Sequence, residues 1–141
     1  MTLEPAAEFG IIAAAIADRT GNPFIPRSVL PVGGGSIHRA WQLSDGGHRY
    51  FVKTNELAAA PMFAAEAQGL QALSAAAAVR IPTFITAGKS STQAFLVLEH
   101  IDLANLDPPG GARLGEALAR LHSVRGDAFG WPADNFIGST R

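Results

Sequence analysis

Lys53 lies in the apolar run Tyr50-Phe51-Val52-Lys53-Thr54, downstream of Val32-Gly33-Gly34-Gly35-Ser36 and upstream of Glu66. A strand has a side-chain period of two, so Phe51 and Lys53 share one face and Tyr50 and Val52 the other, which sends the ammonium out beside an aromatic wall. Glycines lack the Cβ that would obstruct an oxyanion, and successive backbone N–H groups in such a turn can approach one closely. Glycine turn, strand, lysine strand and acidic helix, in that order, set a fixed ammonium near a loop suited to phosphate.

The rest of the pattern predicts an α+β unit. Phe9, Ile12, Ala13, Ile16 and Ala17 recur at helical spacing from Pro5 until Gly21 can end the helix. Ser28 to Val32 opens a β region, Ile37 to Leu43 alternates as a half-buried strand, and Ser44-Asp45-Gly46-Gly47-His48 is a hairpin signal that returns the chain into Arg49 to Thr54. Pro61 to about Ala78 is rich in helix formers and sets Phe63, Ala67, Leu70 and Leu73 near one face, with Glu66 beside it. Phe84 to Ala87 and Gln93 to Glu99 read as strands joined by a Gly88-Lys89-Ser90-Ser91 turn, which completes a five-stranded antiparallel sheet with flanking helices.

Asp107-Pro108-Pro109-Gly110-Gly111 is the clearest boundary, and beyond it Leu114 to Val124 is an amphipathic helix with Leu114, Leu118 and Leu121 aligned. Gly126 to Arg141 has the composition of an irregular segment packed by Phe129, Trp131 and Phe136.

Eleven basic and twelve acidic side chains give a net charge of −1, which argues against the positive field that nucleic acid or an anionic membrane selects. The absence of cysteine excludes disulfides, thiolate metal sites and thiol nucleophiles and suits a reducing compartment. Glu4 and Glu8 stand where a secretory signal carries Lys or Arg, and the uncharged run Gly10 to Ala17 is too short to cross a bilayer, so a soluble cytoplasmic protein is expected. Only 16% of residues are charged against 48% hydrophobic, and the apolar faces of the last helix and tail are expected to be exposed or self-paired, giving a possible homodimer.

Each candidate also has a plainer reading. Gly33-Gly34-Gly35-Ser36 fits only the first half of G-x-G-x-x-G, because His38 stands where the last glycine belongs, and it can be a bare turn. Lys53 can be a solvated strand lysine. An acidic clamp would fix its rotamer, with Glu66 the best candidate and Glu56 a rival that lies too near in sequence to reach back easily. Glu99-His100-Ile101-Asp102 closes a strand at a hinge position, where backbone N–H and C=O groups can pair with an adenine edge or simply leave the sheet. His38, His48, His100 and His122 have no metal spacing, and no G-x-S-x-G occurs.

Gly34-Gly35-Ser36-Ile37, Phe51-Val52-Lys53, Phe63-Ala64-Ala65-Glu66, Val97-Leu98-Glu99-His100-Ile101, Leu118-Ala119-Arg120-Leu121-His122 and Phe129-Gly130-Trp131-Pro132-Ala133-Asp134-Asn135-Phe136-Ile137-Gly138 together resemble the fructosamine kinase (ketosamine kinase) family. That family belongs to a kinase-like fold close to aminoglycoside phosphotransferases and choline kinases. The resemblance implies ATP-dependent, magnesium-assisted phosphorylation of a sugar hydroxyl on a small ketoamine or sugar-amine substrate, as in protein deglycation. It also implies that Lys53 holds the α- and β-phosphates, Glu66 orients Lys53, Gly33, Gly34, Gly35 and Ser36 cover the nucleotide, and Glu99, His100 and Ile101 receive adenine.

Residues 1–101 then correspond to the nucleotide-binding lobe, and 102–141 to the hinge and the start of a helical lobe. The family's His-Gly-Asp catalytic loop and metal-binding Asp would follow Arg141. Asp102, Asp107, Asp127 and Asp134 are not candidates for the base, and the chain alone is expected to be inactive. An aminoglycoside or choline kinase-like fragment and a non-catalytic nucleotide-binding or interaction remnant are the alternatives.

Overall fold

The computed structural model describes residues 5–140, so the expectations resting on Glu4 and Arg141 lie outside it. Helix α1 (Pro5–Thr20) is followed by strands β1 (Ser28–Val32), β2 (Arg39–Ser44) and β3 (Arg49–Glu56). A 3-10 turn (Leu57–Ala59) leads into helix α2 (Ala60–Ala75), then strands β4 (Phe84–Lys89) and β5 (Gln93–Glu99) and helix α3 (Pro108–His122). The five strands form one antiparallel sheet in the order β1-β2-β3-β5-β4, which places the lysine strand at its centre. Among the described residues no helix is long and apolar enough to cross a membrane.

The strand period divides the core into two layers. On one face Val52 and Val97 pack with Leu43 and Phe95 against Ile12, Ala13 and Ile16 of α1, all buried. Trp41 extends this layer: its ring meets Phe9 edge-on at 5.1 Å, and its indole N–H donates to Thr54 Oγ1 at 3.0 Å, which satisfies a buried hydroxyl. On the opposite face Phe63 and Ala67 of α2 pack on Ala94, Leu96, Leu98 and Phe51. Lys53 pairs with Ala40 on one neighbouring strand and Leu96 on the other, so it rises from this second face.

Several boundaries differ from the expected ones, each for a local reason. Strand β2 begins at Arg39 rather than Ile37, because the turn after Val32 runs on to His38. The link between β4 and β5 is Ser90-Ser91-Thr92 rather than a turn begun at Gly88: Ser90 Oγ accepts from the N–H groups of Thr92 and Gln93 at 3.2 and 3.0 Å. The proline boundary is itself a helix start. Asp107 accepts from Gly110 N–H at 2.6 Å as an N-cap, and Pro108 and Pro109 occupy first-turn positions where a missing N–H does no harm.

Leu73 is exposed because it sits about 80° round α2 from Phe63, at the edge of the apolar stripe. The tail is irregular as expected, but only one of its three aromatics packs: Phe136 is half-buried and lines a cavity against the start of α2, whereas Phe129 is fully exposed and Trp131 nearly half exposed. Leu114 and Leu118 of α3 are exposed as well, with Ala117 the buried residue of that helix.

Helix α2 stops at Ala75, short of the expected Ala78, in a turn where Ala77 has φ of +50°. A left-handed alanine is strained by about 1–2 kcal/mol, and Ala77 is exposed, so no packing compensates it. Ala77→Gly is expected to raise stability by about 1 kcal/mol or less, after allowing for the greater freedom of glycine in the unfolded chain. Chemical denaturation checks this; an unchanged or lower midpoint at equal slope would contradict it.

Candidate functional site

The turn after β1 owes its shape to its glycines. Gly34 has φ of +106°, a conformation side chains rarely adopt, and a Cβ on Gly35 would stand 3.1 Å from the His38 carbonyl oxygen. Among the described residues the N–H groups of Gly34, Gly35 and Ser36 have no partner. The turn overhangs a cavity of about 520 Å³ lined by Gly33 to Ser36, His38, Phe51 and Lys53.

Lys53 Nζ donates to Glu66 Oε1 at 2.7 Å. Both side chains are about one quarter exposed, so the pair is shielded yet open to the cavity on one side. The geometry follows from two periodicities: Lys53 stands on the α2 face of the sheet, and Glu66 lies one turn from Phe63, on the flank of α2 beside its buried stripe. Glu56 instead lines a separate cavity of about 830 Å³, between the start of α2 and residues 133–139, which contains neither member of the pair.

A third cavity, of about 560 Å³, lies at the exit of β5 and is lined by Leu98, Glu99, His100, Ile101 and Asp102. Val32, Phe51 and Leu103 line both this cavity and the one below the glycine turn, so the two adjoin along one cleft. The exit of β5 is braced by side chains from the segment before β4. Glu99 accepts from Thr83 N–H and Oγ1 at 3.0 and 3.1 Å and from Arg80, and its own N–H donates to Thr83 O at 2.8 Å. The Glu99 carboxylate and N–H are therefore engaged, whereas Ile101 N–H has no partner among the described residues.

Asp102 receives two hydrogen bonds from Arg49, at 2.7 and 2.6 Å, which hold its carboxyl below the usual range against the opposing effect of desolvation. His100 is largely buried, with Nδ1 unbonded and 3.7 Å from Asp102 Oδ1. Among the described residues no group of three or more His, Asp or Glu side chains could hold a metal ion.

The model of the fructosamine kinase family matches residues 9–141. The chain belongs to the fructosamine kinase family. It is 39% identical to a probable ketoamine kinase of Synechocystis sp. over 99% of this chain and 48% of that protein. A probable ketoamine kinase of Klebsiella aerogenes is 38% identical over 81% of this chain and 40% of its own length. The chain thus spans about half the length of the curated relatives it matches.

The crystal structure bearing the name fructosamine-3-kinase from Haemophilus somnus superposes with a TM-score of 0.84 at 26% identity, over 91% of this chain and 44% of that one. A second, from Thermobifida fusca, gives 0.69 at 26% identity over 90% and 43%. The sheet with its flanking helices is therefore the kinase-like fold of these fructosamine kinase structures.

Within this fructosamine kinase framework, sequence reasoning missed the Arg49–Asp102 and Arg80–Glu99 braces and the cleft-lining role of Leu103. It also treated His38 as an isolated histidine, although the residue stands opposite Asn55 in the β2–β3 register counted back from the Asp45 turn.

Thr83 N–H, the main cause, holds the Glu99 carboxyl below its ordinary 4.5, aided by the Thr83 hydroxyl and Arg80 and opposed by burial. A lowered folded-state value means that this brace is fully present above about pH 4.5 and is lost as pH falls through the lower value. Acidification is expected to lower the protection factors of the Thr83 and Glu99 amides, measured against the intrinsic exchange rate at each pH, before those of the sheet centre fall. Glu99→Gln should remove that pH dependence, and identical profiles in the two proteins would contradict the brace.

Proposed function

We propose that this chain is the nucleotide-holding part of an ATP-dependent ketoamine kinase, with residues 1–101 as the nucleotide lobe and 102–141 as the hinge and the opening of a helical lobe. The observation carrying this reading is the Lys53–Glu66 pair, 2.7 Å apart below an open glycine turn. Phosphoryl transfer depends almost entirely on positioning and charge neutralisation, and this cleft can supply both to the nucleotide.

In this reading Glu66 fixes the rotamer of Lys53, whose ammonium offsets charge on the α- and β-phosphates. The unpartnered N–H groups of Gly34, Gly35 and Ser36 cover the phosphates, with Gly33 opening the turn. The adenine lies in the hinge cavity between Val32 and Phe51 and pairs with Ile101 N–H and the Glu99 carbonyl, while His100 supplies backbone. ATP fits the residues present. Magnesium does not find a ligand set among the described residues, and Asp102 and Asp107 are occupied by Arg49 and by the cap of α3. The 141-residue chain accordingly binds nucleotide without transferring its phosphate. Its acceptor in the complete enzyme is a small ketoamine, in keeping with the relatives named ketoamine kinases, and the setting is cytoplasmic.

Calorimetry of the chain with ATP tests this reading. Lys53→Ala is expected to weaken ATP binding by about tenfold or more, from loss of a charge-assisted contact, and Glu66→Gln by less. Phosphorylation of a ketoamine such as fructoselysine should be undetectable in the same samples. Equal ATP affinity of wild type and Lys53→Ala would remove the phosphate role, and robust turnover would remove the division of labour.

The exposed Leu114 and Leu118 of α3, with Phe129 and Trp131, also support self-association of the isolated chain through this face. Light scattering is expected to give a dimer mass; a monomer with little hydrophobic-dye binding would contradict it.

A further inference from the structure

His38 stands between the glycine turn and the Lys53–Glu66 pair. Its ring lies on Phe63 of α2, with centroids 4.7 Å apart and the planes tilted by 44°, and the residue lines the cavity that contains Lys53. Its Nδ1 is 2.8 Å from Asn55 Nδ2. Which of these two nitrogens donates is decided by the other contacts of Asn55. Asn55 Nδ2 also donates to Ile37 O at 3.1 Å, and Asn55 Oδ1 accepts from Glu56 N–H at 2.8 Å. Reversing the amide would set oxygen against a carbonyl and NH₂ against an N–H, so two backbone groups hold it one way round.

The second hydrogen of Asn55 Nδ2 therefore points to His38 Nδ1, which must present a lone pair. In the neutral ring the proton then resides on Nε2. That nitrogen has no partner among the described residues and is not buried, since the buried unbonded side-chain nitrogen belongs to His100. Burial, followed by the neighbouring ammonium of Lys53, lowers the affinity of the ring for a second proton, while Glu66 opposes this.

We propose that His38 is a nucleotide-positioning residue: Asn55 holds it as the Nε2–H tautomer, and that N–H donates to a phosphate oxygen beside Lys53. The inference rests on the ATP-binding reading of the cleft. It adds a division of roles, in which Lys53 supplies charge and His38 supplies a neutral, directed donor at the end of the glycine turn. An ammonium attracts phosphate from any angle, whereas an imidazole clamped by an amide on one side and packed on a phenyl ring selects one oxygen position.

The test is nitrogen-15 NMR of the histidine rings in the 141-residue chain, titrated with ATP, with parallel calorimetry on variants. Wild type is expected to show a bare Nδ1 and a protonated Nε2 at His38, with the Nε2–H resonance moving on addition of ATP. His38→Phe keeps a ring against Phe63 but removes the donor, and should weaken ATP binding by about tenfold. His38→Gln, whose terminal amide can donate from a similar distance, should recover most of the loss. Asn55→Ala should raise the share of the Nδ1–H tautomer toward that of a free imidazole, in which Nε2–H is the majority form.

A proton on Nδ1 in wild type, an Nε2–H unmoved at saturating ATP, or an unchanged tautomer share in Asn55→Ala overturns the assignment. Equal affinity of wild type and His38→Phe removes the His38 role and leaves the ATP reading intact. Wild type that binds no ATP overturns both.

Discussion

The structure turns on one partly shielded ion pair. Lys53 and Glu66 come from elements that share no hydrogen-bond ladder, the central strand and the helix on its second face, and they meet at 2.7 Å. A pair still in contact with solvent contributes little to stability, so it matters for where it holds the ammonium rather than for how much it stabilises. Its geometry needs Phe63 and Ala67 seated on Leu96 and Leu98, because that packing sets the rotation of α2 about its axis. The first face, where α1 covers Val52, Val97 and Leu43, keeps the sheet rigid from behind and leaves the cleft side open.

A second tier of contacts holds the cleft at its ends. Arg80 and Thr83 fasten the Glu99 side chain, and Arg49 fastens Asp102, so the backbone between them is held at both ends. At the other end Asn55 joins the carbonyl of Ile37 to the ring of His38, tying the glycine turn to the lysine strand. Each tie brings together a residue on a strand and a residue in a connecting segment. The cleft is thus bounded by backbone tied down at its edges but not along the glycine turn over the cavity itself.

Much of the fold was legible in the residues because local signals agreed with the global arrangement. Asp45-Gly46 set the β2–β3 hairpin: Asp45 Oδ1 accepts from Gly47 and His48 N–H, which lowers its pKa to about 2. The apolar period of α1 marked Ile12, Ala13 and Ile16, which are buried, and Phe9 and Ala17, which are partly buried beside them. The start of α3 was less legible, because two prolines and two glycines read as a break whereas Asp107 turns them into a capped first turn. In the tail the irregular course and the packing of Phe136 were legible, but not the exposure of Phe129 and Trp131: aromatics usually imply burial, and nothing in local sequence reveals whether a surface exists to bury them.

By itself the sequence determined the composition of the elements, the two faces of the central strand, and the family to which the chain belongs. These depend on short-range periodicity and on residue identity, which a linear chain carries in full. Only the tertiary structure decided that Glu66 rather than Glu56 meets Lys53, that Glu99 is held by Thr83 and Arg80, and that His38 is held by Asn55. Those pairings depend on how α2 is rotated on the sheet and on register summed across several strands. An offset of one residue or a fraction of a helical turn would change every partner while leaving the local pattern unaltered.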